Sequence, residues 1–465
     1  MRKGEAVVDG EITGSRVKRA ASMAGAAAGV AARKVTAKAV SGRSDARQAA
    51  AANQQLKSAE RLVRVLGGMR GAAMKVGQTL STVDMGLVPE EVRPRFQEIL
   101  ATLQQDAEPV SFKALAKVVT DDLGGRLSDH FRDFAEEPLA SASIGQVHRA
   151  TTHDGRDVAV KVQYPGIAEA IQADLKNMRL ILKLLDAVAP GINTGAIADE
   201  IRERISEELD YELEASNQRA MARAYRDHPF IVVPGVVTEL CRERVIVSDF
   251  IDGERFAEAR KRSQPERDRL GEILVRFYIN GPLRHRLLNG DPHPGNALFL
   301  ADGRVAFLDF GFFKRLANPE VESLVAAFRA VHADDAGGLQ EVMVKIGTLE
   351  SNPALAEPFF EAYEAILGWA LADGELRVDG RRTGEMMRRY NELKDDDNFD
   401  SMTMPAEHLV LMRSVMLLTG LLGMLEASNN WLSISREWLF DDPAVTELGL
   451  LEADYLSRSV GASAG

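Results

Sequence analysis

The chain has 465 residues, 45% of them hydrophobic and 27% charged, which is enough apolar material for a large buried core and excludes a collagen-like or wholly disordered protein. Its single cysteine, Cys241, excludes an internal disulfide framework and fits a reducing, cytoplasmic compartment. A formal net charge of -12 argues against a nucleic-acid partner, since phosphate-backbone binding wants Lys and Arg in excess.

The charge is unevenly spread. Residues 1–47 hold ten Lys/Arg against four acids, a surplus of +6 that leaves the remainder at -18. Residues 1–50, rich in Ala, Gly and basic side chains, therefore read as a flexible or membrane-surface arm. No run reaches the roughly 18 uninterrupted apolar residues of a spanning helix. The stretch 20–32 is short and Ala-dominated, and 409–425, interrupted by Arg413, is open to three readings, core, a dimer face or a membrane-contacting helix, of which core is favoured. Residues 51–130 are expected to form a helical extension, with apolar residues at helical spacing over 54–66 and 85–103 and Pro89, Pro94 and Pro109 as punctuation.

From 131 the periodicity changes. Val158, Val160 and Val162 alternate with Ala159, Lys161 and Gln163, a strand pattern, and Asp154-Gly155 separates it from the run 144–150 as a hairpin signal. Helices are predicted at 167–188 and 197–225, strands at 231–237 and 245–250, and mostly helix from 267 onward apart from a loop-rich interval at 289–315. The order is α+β: a small mixed lobe of sheet and inserted helices over 131–251, then a helical lobe over 252–465.

The most informative interval is Asp291-Pro-His-Pro-Gly-Asn296, followed by Asp309-Phe310-Gly311. It reproduces the catalytic-loop order D-x-x-x-x-N then D-F-G of protein kinases. A hard dication bridging nucleotide phosphates takes oxygen ligands, so the Asp309 carboxylate and the Asn296 carbonyl suit Mg²⁺. Asp291 is then the group to accept a proton or position a nucleophile. A turn rich in Asp, Pro, Gly and Asn also arises as a plain connection; the coincidence of the two motifs favours chemistry. Upstream, Val158-Ala159-Val160-Lys161 matches the V-A-I-K strand whose Lys reaches nucleotide phosphates. A lysine there needs a carboxylate. The acidic helix over 207–214 supplies several, with Asp210 and Glu214 four apart on one face. Ala140, Ser141, Ala142, Ser143, Ile144, Gly145 and Gln146 stand where a kinase carries its Gly-rich loop, with Ala and Ser in place of most glycines.

Together with Lys75-Val76-Gly77-Gln78 and Glu208-Leu209-Asp210, these residues resemble the UbiB/AarF/ADCK family of atypical, protein-kinase-like proteins. The hallmarks occur in order: K-x-G-Q, the alanine-rich loop, E-x-D, and D-P-H-P-G-N with D-F-G. The resemblance covers roughly residues 60–330. It implies a protein-kinase-like two-lobed fold with an N-terminal helical extension packed over the active site, where Lys75 and Gln78 reach the cleft as regulatory residues and meet Glu208 or Asp210. ATP would lie between the lobes with its adenine against Asp249, Phe250 and Ile251. Lys161, held by Glu214, would grip phosphates, Asn296 and Asp309 would hold Mg²⁺, and Asp291 would be the catalytic Asp.

The activity so implied is that of an ATP- and Mg²⁺-dependent atypical kinase or ATPase supporting isoprenoid-quinone or related lipid biosynthesis or handling. Its partners would be a nucleotide, a lipid or quinone-precursor small molecule and a membrane surface, and its location cytoplasmic or peripheral to the membrane. Some residues depart from the ordinary kinase pattern. Ser141 interrupts the alanine run, Asn289-Gly290 stand where protein kinases have His-Arg, and no A-P-E follows D-F-G beyond Asn318-Pro319-Glu320. The missing peptide platform disfavours one alternative, a protein kinase acting in trans. The other is an ATP-binding pseudoenzyme or scaffold that binds a lipid or hydrophobic small molecule at the membrane; the retained set of metal and phosphate residues argues against it.

Overall fold

The computed structural model describes residues 110–142, 144–176, 209–347, 353–394 and 406–463. The basic arm, most of the helical extension and the expectations for Lys75, Gln78, Ser143 and Glu208 lie outside the described residues. The chain divides into two compact units, the first running up to Leu213 and adding Val236–Phe250, the second comprising Glu214–Gly235 and the chain from Ile251 onward.

In chain order the first unit opens on α1 (Phe112–Leu123), which buries Leu115, Val118 and Val119 along one stripe. Strands β1 (Phe131–Ser141), β2 (Gly145–Thr152) and β3 (Asp157–Gln163) follow, then α2 (Ile167–Lys176) and the start of α3 (Tyr211–Ala224), whose residues from Glu214 on belong to the second unit. After β4 (Ile231–Val232), β5 (Val245–Asp249) completes an antiparallel sheet in the order β1-β2-β3-β5. The expected alternation along β3 holds: Val158, Val160 and Val162 are fully buried. The Asp154-Gly155 turn closes the β2–β3 hairpin, with Gly155 at φ 89° and the Thr152 amide donating to the Arg156 carbonyl at 2.9 Å. Register places Lys161 in the middle of the sheet, between Val147 and Ile246.

The second unit carries β4 and β6 (Glu254–Arg255), α4 (Gln264–Val275), a π-helical turn at Arg276–Asn280, α5 (Gly281–His285) and the short strands β7 (Leu287–Asn289), β8 (Ala297–Phe299), β9 (Val305–Phe307) and β10 (Phe313–Arg315). One sheet has the order β4-β9-β8-β6; β7 pairs antiparallel with β10. Helices α6 (Asn318–His332), α7 (Ala336–Lys345), α8 (Ala356–Leu371), α9 (Gly380–Lys394), α10 (Ala406–Leu425), α11 (Trp431–Leu439) and α12 (Glu447–Ser463) complete it. Among the described residues one helix, His408–Leu425, is long and apolar enough to cross a membrane, with a mean hydropathy of 1.7. It is 67% buried inside the protein, and Leu411, Val415, Leu418, Leu422 and Leu425 are fully enclosed, as a core helix requires.

Three expectations change. The strand predicted over 231–237 shortens to two residues, because Pro234 has no amide to donate to a ladder. The interval 289–315 holds three short strands rather than only loops. The acidic segment is not one continuous helix through Asp210: α3 starts at Tyr211, and the Asp210 carboxylate caps it by accepting from the Leu213 amide at 2.9 Å. Asp210 and Glu214 therefore do not share a helix face.

A buried charge cluster ties the second unit together. Arg276, 1% exposed, meets Glu272 of α4 at 2.8 Å, Glu437 of α11 at 2.8 Å and Glu452 of α12 at 2.7 Å. Burial alone would lower the guanidinium pKa, but the three carboxylates outweigh it and raise it. Burial pushes the Glu437 carboxyl up, only partly countered by Arg276. For Glu452 the burial penalty is overcome by the His228 hydrogen bond and the Arg276 charge, so its pKa falls below the usual carboxylate range.

Candidate functional site

The pairing of β7 with β10 brings the two motif-bearing segments side by side. The Gly290 amide donates to the Phe312 carbonyl at 3.0 Å, and a side chain at Gly290 would place its Cβ 2.3 Å from the Phe312 ring. Only glycine permits that approach. The chain then makes a single 3₁₀ turn, Pro294–Asn296, in which the His293 Nδ1 accepts from the Gly295 amide at 3.0 Å. The β8–β9 hairpin returns it so that the Leu308 amide donates to the Asn296 carbonyl at 2.9 Å.

The consequence is a compact set of polar groups. Asn296 Nδ2 donates to both the backbone carbonyl and the Oδ2 of Asp291, each at 3.1 Å. Asp309 Oδ1 accepts from the Gly311 amide at 3.0 Å, and the Asp309 carbonyl accepts from Asn289 Nδ2 at 2.8 Å. With its NH₂ committed to Asp291, the Asn296 carboxamide turns its oxygen the other way. That oxygen and the Asp309 carboxylate are hard oxygen donors of the kind Mg²⁺ takes alongside water and phosphate, and are the residues that could hold it. Among the described residues no group of three His, Cys, Asp or Glu forms a closed protein cage for a metal.

Lys161 and Glu214 fall in different units. Lys161 projects from β3, and its ammonium lies 4.9 Å from the centroid of the buried Tyr211 ring. Glu214 is buried on α3. In the β1–β2 turn Ala140 and Ser141 are exposed, Ala142 is half-buried with its amide donating to the Gly145 carbonyl at 2.7 Å, and Ile144, Gly145 and Gln146 are buried. Gly145 answers to packing: a Cβ there would lie 2.2 Å from the Val162 carbonyl oxygen and 3.0 Å from the Tyr211 hydroxyl. At the end of β5, Asp249 pairs with Arg156 and raises that guanidinium's pKa through their hydrogen bond. The Phe250 amide donates to the Asp157 carbonyl at 3.0 Å, and the Arg149 guanidinium lies 4.3 Å from the centre of the Phe250 ring. Ile251, half-buried, opens the next stretch of the second unit.

Four residues were not singled out for roles by sequence reasoning. Tyr211 faces Lys161. Asn217 donates from α3 to the Phe310 carbonyl at 3.3 Å. Tyr278, wholly buried, has its hydroxyl pushed well above the ordinary tyrosine range by burial, with the negative charges of Asp291 and Asp309 adding to it. Asn289 looked only like a departure from the kinase pattern. Its place directly before the D-P-H-P-G-N run was the available signal; the other three are joined to the motifs through tertiary contacts that no spacing displays.

A family model described as the ABC1 atypical kinase-like domain matches residues 102–343. "Atypical kinase COQ8B, mitochondrial" of Rattus norvegicus is 32% identical over 329 residues, covering 70% of this chain and 62% of its own. "Protein ACTIVITY OF BC1 COMPLEX KINASE 1, chloroplastic" of Arabidopsis thaliana is 33% identical over 331 residues, covering 69% of this chain and 47% of its own. The chain thus spans about half the length of the curated relatives it matches. Among solved structures, the complex of Rv3197 with erythromycin from Mycobacterium tuberculosis superposes with a TM-score of 0.61 at 32% identity, over 83% of this chain and 97% of that one.

Proposed function

The chain belongs to the ABC1 atypical kinase-like family, with its kinase-like fold of mixed sheets and helices, and on that premise we propose that it is an ATP- and Mg²⁺-dependent atypical kinase or ATPase. The observation that carries the reading is the joining of Asp291 to Asn296 beside Asp309. Asn296 and Asp309 would hold the metal, whose bound charge offsets that of the nucleotide phosphates. Lys161 is the phosphate-gripping cation. Asp291, its Oδ2 steadied by Asn296, would take the proton from the attacking hydroxyl or water. Support of isoprenoid-quinone or related lipid handling follows from the resemblance of the motifs and from the COQ8B relative. The basic arm over 1–50 and the buried setting of α10 favour action at a membrane surface rather than across it.

The test is thermal stabilisation. Mg·ATP or Mg·ADP is expected to raise the melting midpoint of the wild-type chain and to lose that effect in Asp309→Asn. No shift in the wild type, or an undiminished shift in the variant, would sink the metal assignment. Phosphate release with and without liposomes then separates turnover from mere binding.

A second reading, binding of a hydrophobic small molecule, is favoured by an open groove of about 670 Å³ whose lining includes Val321, Val325, Ala326 and Phe440 together with the charged Glu322 and Asp335. That size suits a drug-sized ligand, and the Mycobacterium tuberculosis relative is complexed with erythromycin. Titration with erythromycin in the absence of nucleotide tests it: binding that Ala326→Trp removes supports the groove, and no binding dismisses it.

A further inference from the structure

We propose that Asn289 is a positioning residue for the metal site: its one carboxamide sets the spacing of Asp291 and Asp309, and with it the affinity for Mg²⁺. This rests on the reading of Asn296 and Asp309 as metal ligands. Asn289 is 4% exposed at the end of β7. Its Oδ1 accepts from the Asp291 amide at 3.2 Å while its Nδ2 donates to the Asp309 carbonyl at 2.8 Å. A single planar group therefore clips the backbone at both motif acids. The residue type follows from that double duty. An ionised Asp has no donor for the Asp309 carbonyl, and Leu, of similar shape, has neither donor nor acceptor.

The side chain is not needed to hold the strands together. Backbone pairing of Phe313 with Asn289 and of Gly290 with Phe312 makes the β7–β10 ladder independently. What the carboxamide adds lies beyond the ladder, where the chain turns into Asp291 on one side and leaves Asp309 on the other. Asn296 makes the second link, to Asp291 by its side chain and to Leu308 by its carbonyl. With the Asn289 link removed, Asp309 is still tied to Gly311 and to the β8–β9 hairpin, but its direct side-chain link to the Asp291 segment is lost. Groups that orient metal ligands in this way typically contribute about 10- to 100-fold in metal affinity or activity.

The experiment is a Mg²⁺ titration of thermal stability at a fixed, saturating ADP concentration, with the wild type, Asn289→Leu and Asn289→His. Asn289→Leu is expected to raise the half-saturating Mg²⁺ concentration by about 10- to 100-fold. Asn289→His, whose imidazole restores a donor and an acceptor, is expected to recover part of that loss. A purely structural role would lower the nucleotide-free midpoint without moving the Mg²⁺ half-point. A half-point within about twofold of wild type in Asn289→Leu overturns the inference while leaving the metal reading intact; a twofold change is smaller than a typical net hydrogen bond contributes. If Asn289→Leu does not fold, a wild-type half-point in Asn289→Ala, which lacks both groups, overturns it equally. A wild-type chain with no Mg²⁺ response refutes the metal reading and this inference with it.

Discussion

Arg276→Met isolates the energetic role of the buried charge cluster. The substitution keeps an unbranched side chain of related length and removes the one cation shared by Glu272, Glu437 and Glu452, whose side chains are 5, 10 and 9% exposed. Deleting one partner of a buried ion pair costs about 3–5 kcal/mol, because the remaining charge stays desolvated. Three carboxylates are stranded here, which places the loss toward the upper end of that range. At roughly 2–4 °C per kcal/mol for a large domain, the melting midpoint should fall on the order of 10 °C at pH 8.

The loss should also depend on pH, and its sign follows from the stranded acids. Without Arg276, Glu437 and Glu452 lose the charge that offsets their burial, so their folded pKa values should rise above the unfolded carboxylate value and their contribution to stability should be present at low pH and lost as pH rises through the folded pKa. In the wild type Glu452 behaves oppositely: its pKa is depressed, so its contribution is present above the unfolded pKa and is lost as pH falls through the folded value. The two melting curves should therefore converge on acidification from pH 8 toward pH 5. Differential scanning fluorimetry across that range provides the measurement. A deficit below about 1 kcal/mol at pH 8, the scale of an exposed pair, or one of equal size at both ends, would refute the assignment of the cluster as a desolvated ion network.

The same cluster orders its acids. Glu452→Gln should cost about 1–3 kcal/mol because it removes a charge-assisted bond to Arg276, and Glu437→Gln, which removes a similar bond from a carboxylate whose charge burial already opposes, should cost less; equal midpoints for the two variants would contradict the ordering. Gly145→Ala should cost about 1–3 kcal/mol of stability and lower the midpoint accordingly, since its Cβ would meet the Val162 carbonyl at 2.2 Å in the first unit; an unshifted midpoint would show that β2 and β3 can separate freely.

What could be read from the sequence is what local chemistry encodes. The Val158, Val160 and Val162 alternation and the Asp154-Gly155 turn specify a hairpin without help from the rest of the chain, and both formed as read. Strands β6 to β10 have two or three residues each, too few to show a period, so they vanish into an apparent loop. Asp210 was misplaced for a different reason: a run of acids carries no hydrophobic stripe, and the N-cap bond to Leu213 was the feature that decided where α3 begins. Arg276 sits in an otherwise apolar run, Ile273-Leu-Val-Arg-Phe-Tyr-Ile279, which signals a buried partner without naming one. Its partners Glu437 and Glu452 lie more than 150 residues away, and only the fold connects them.

That remote connection bears on the site itself. A π-helical turn is a poorer use of backbone hydrogen bonds than an α-helix, so the one at Arg276–Asn280 persists because side chains over-determine it. Arg276 fixes its first residue to α4, α11 and α12. Phe277 stacks on Phe307 with ring centroids 3.6 Å apart, and Tyr278 meets Phe307 edge-on at 5.5 Å. Tyr278 in turn feels the charges of Asp291 and Asp309. Three consecutive side chains thus join the C-terminal helices, the β9 strand that leads into D-F-G, and the two motif acids. A perturbation at Glu452 therefore reaches Phe307, two residues before Asp309, through packed side chains of the second unit. The Mg²⁺ half-point should therefore respond to Arg276→Met, and a half-point unchanged beside a lowered midpoint would show that the turn carries stability without coupling to the site.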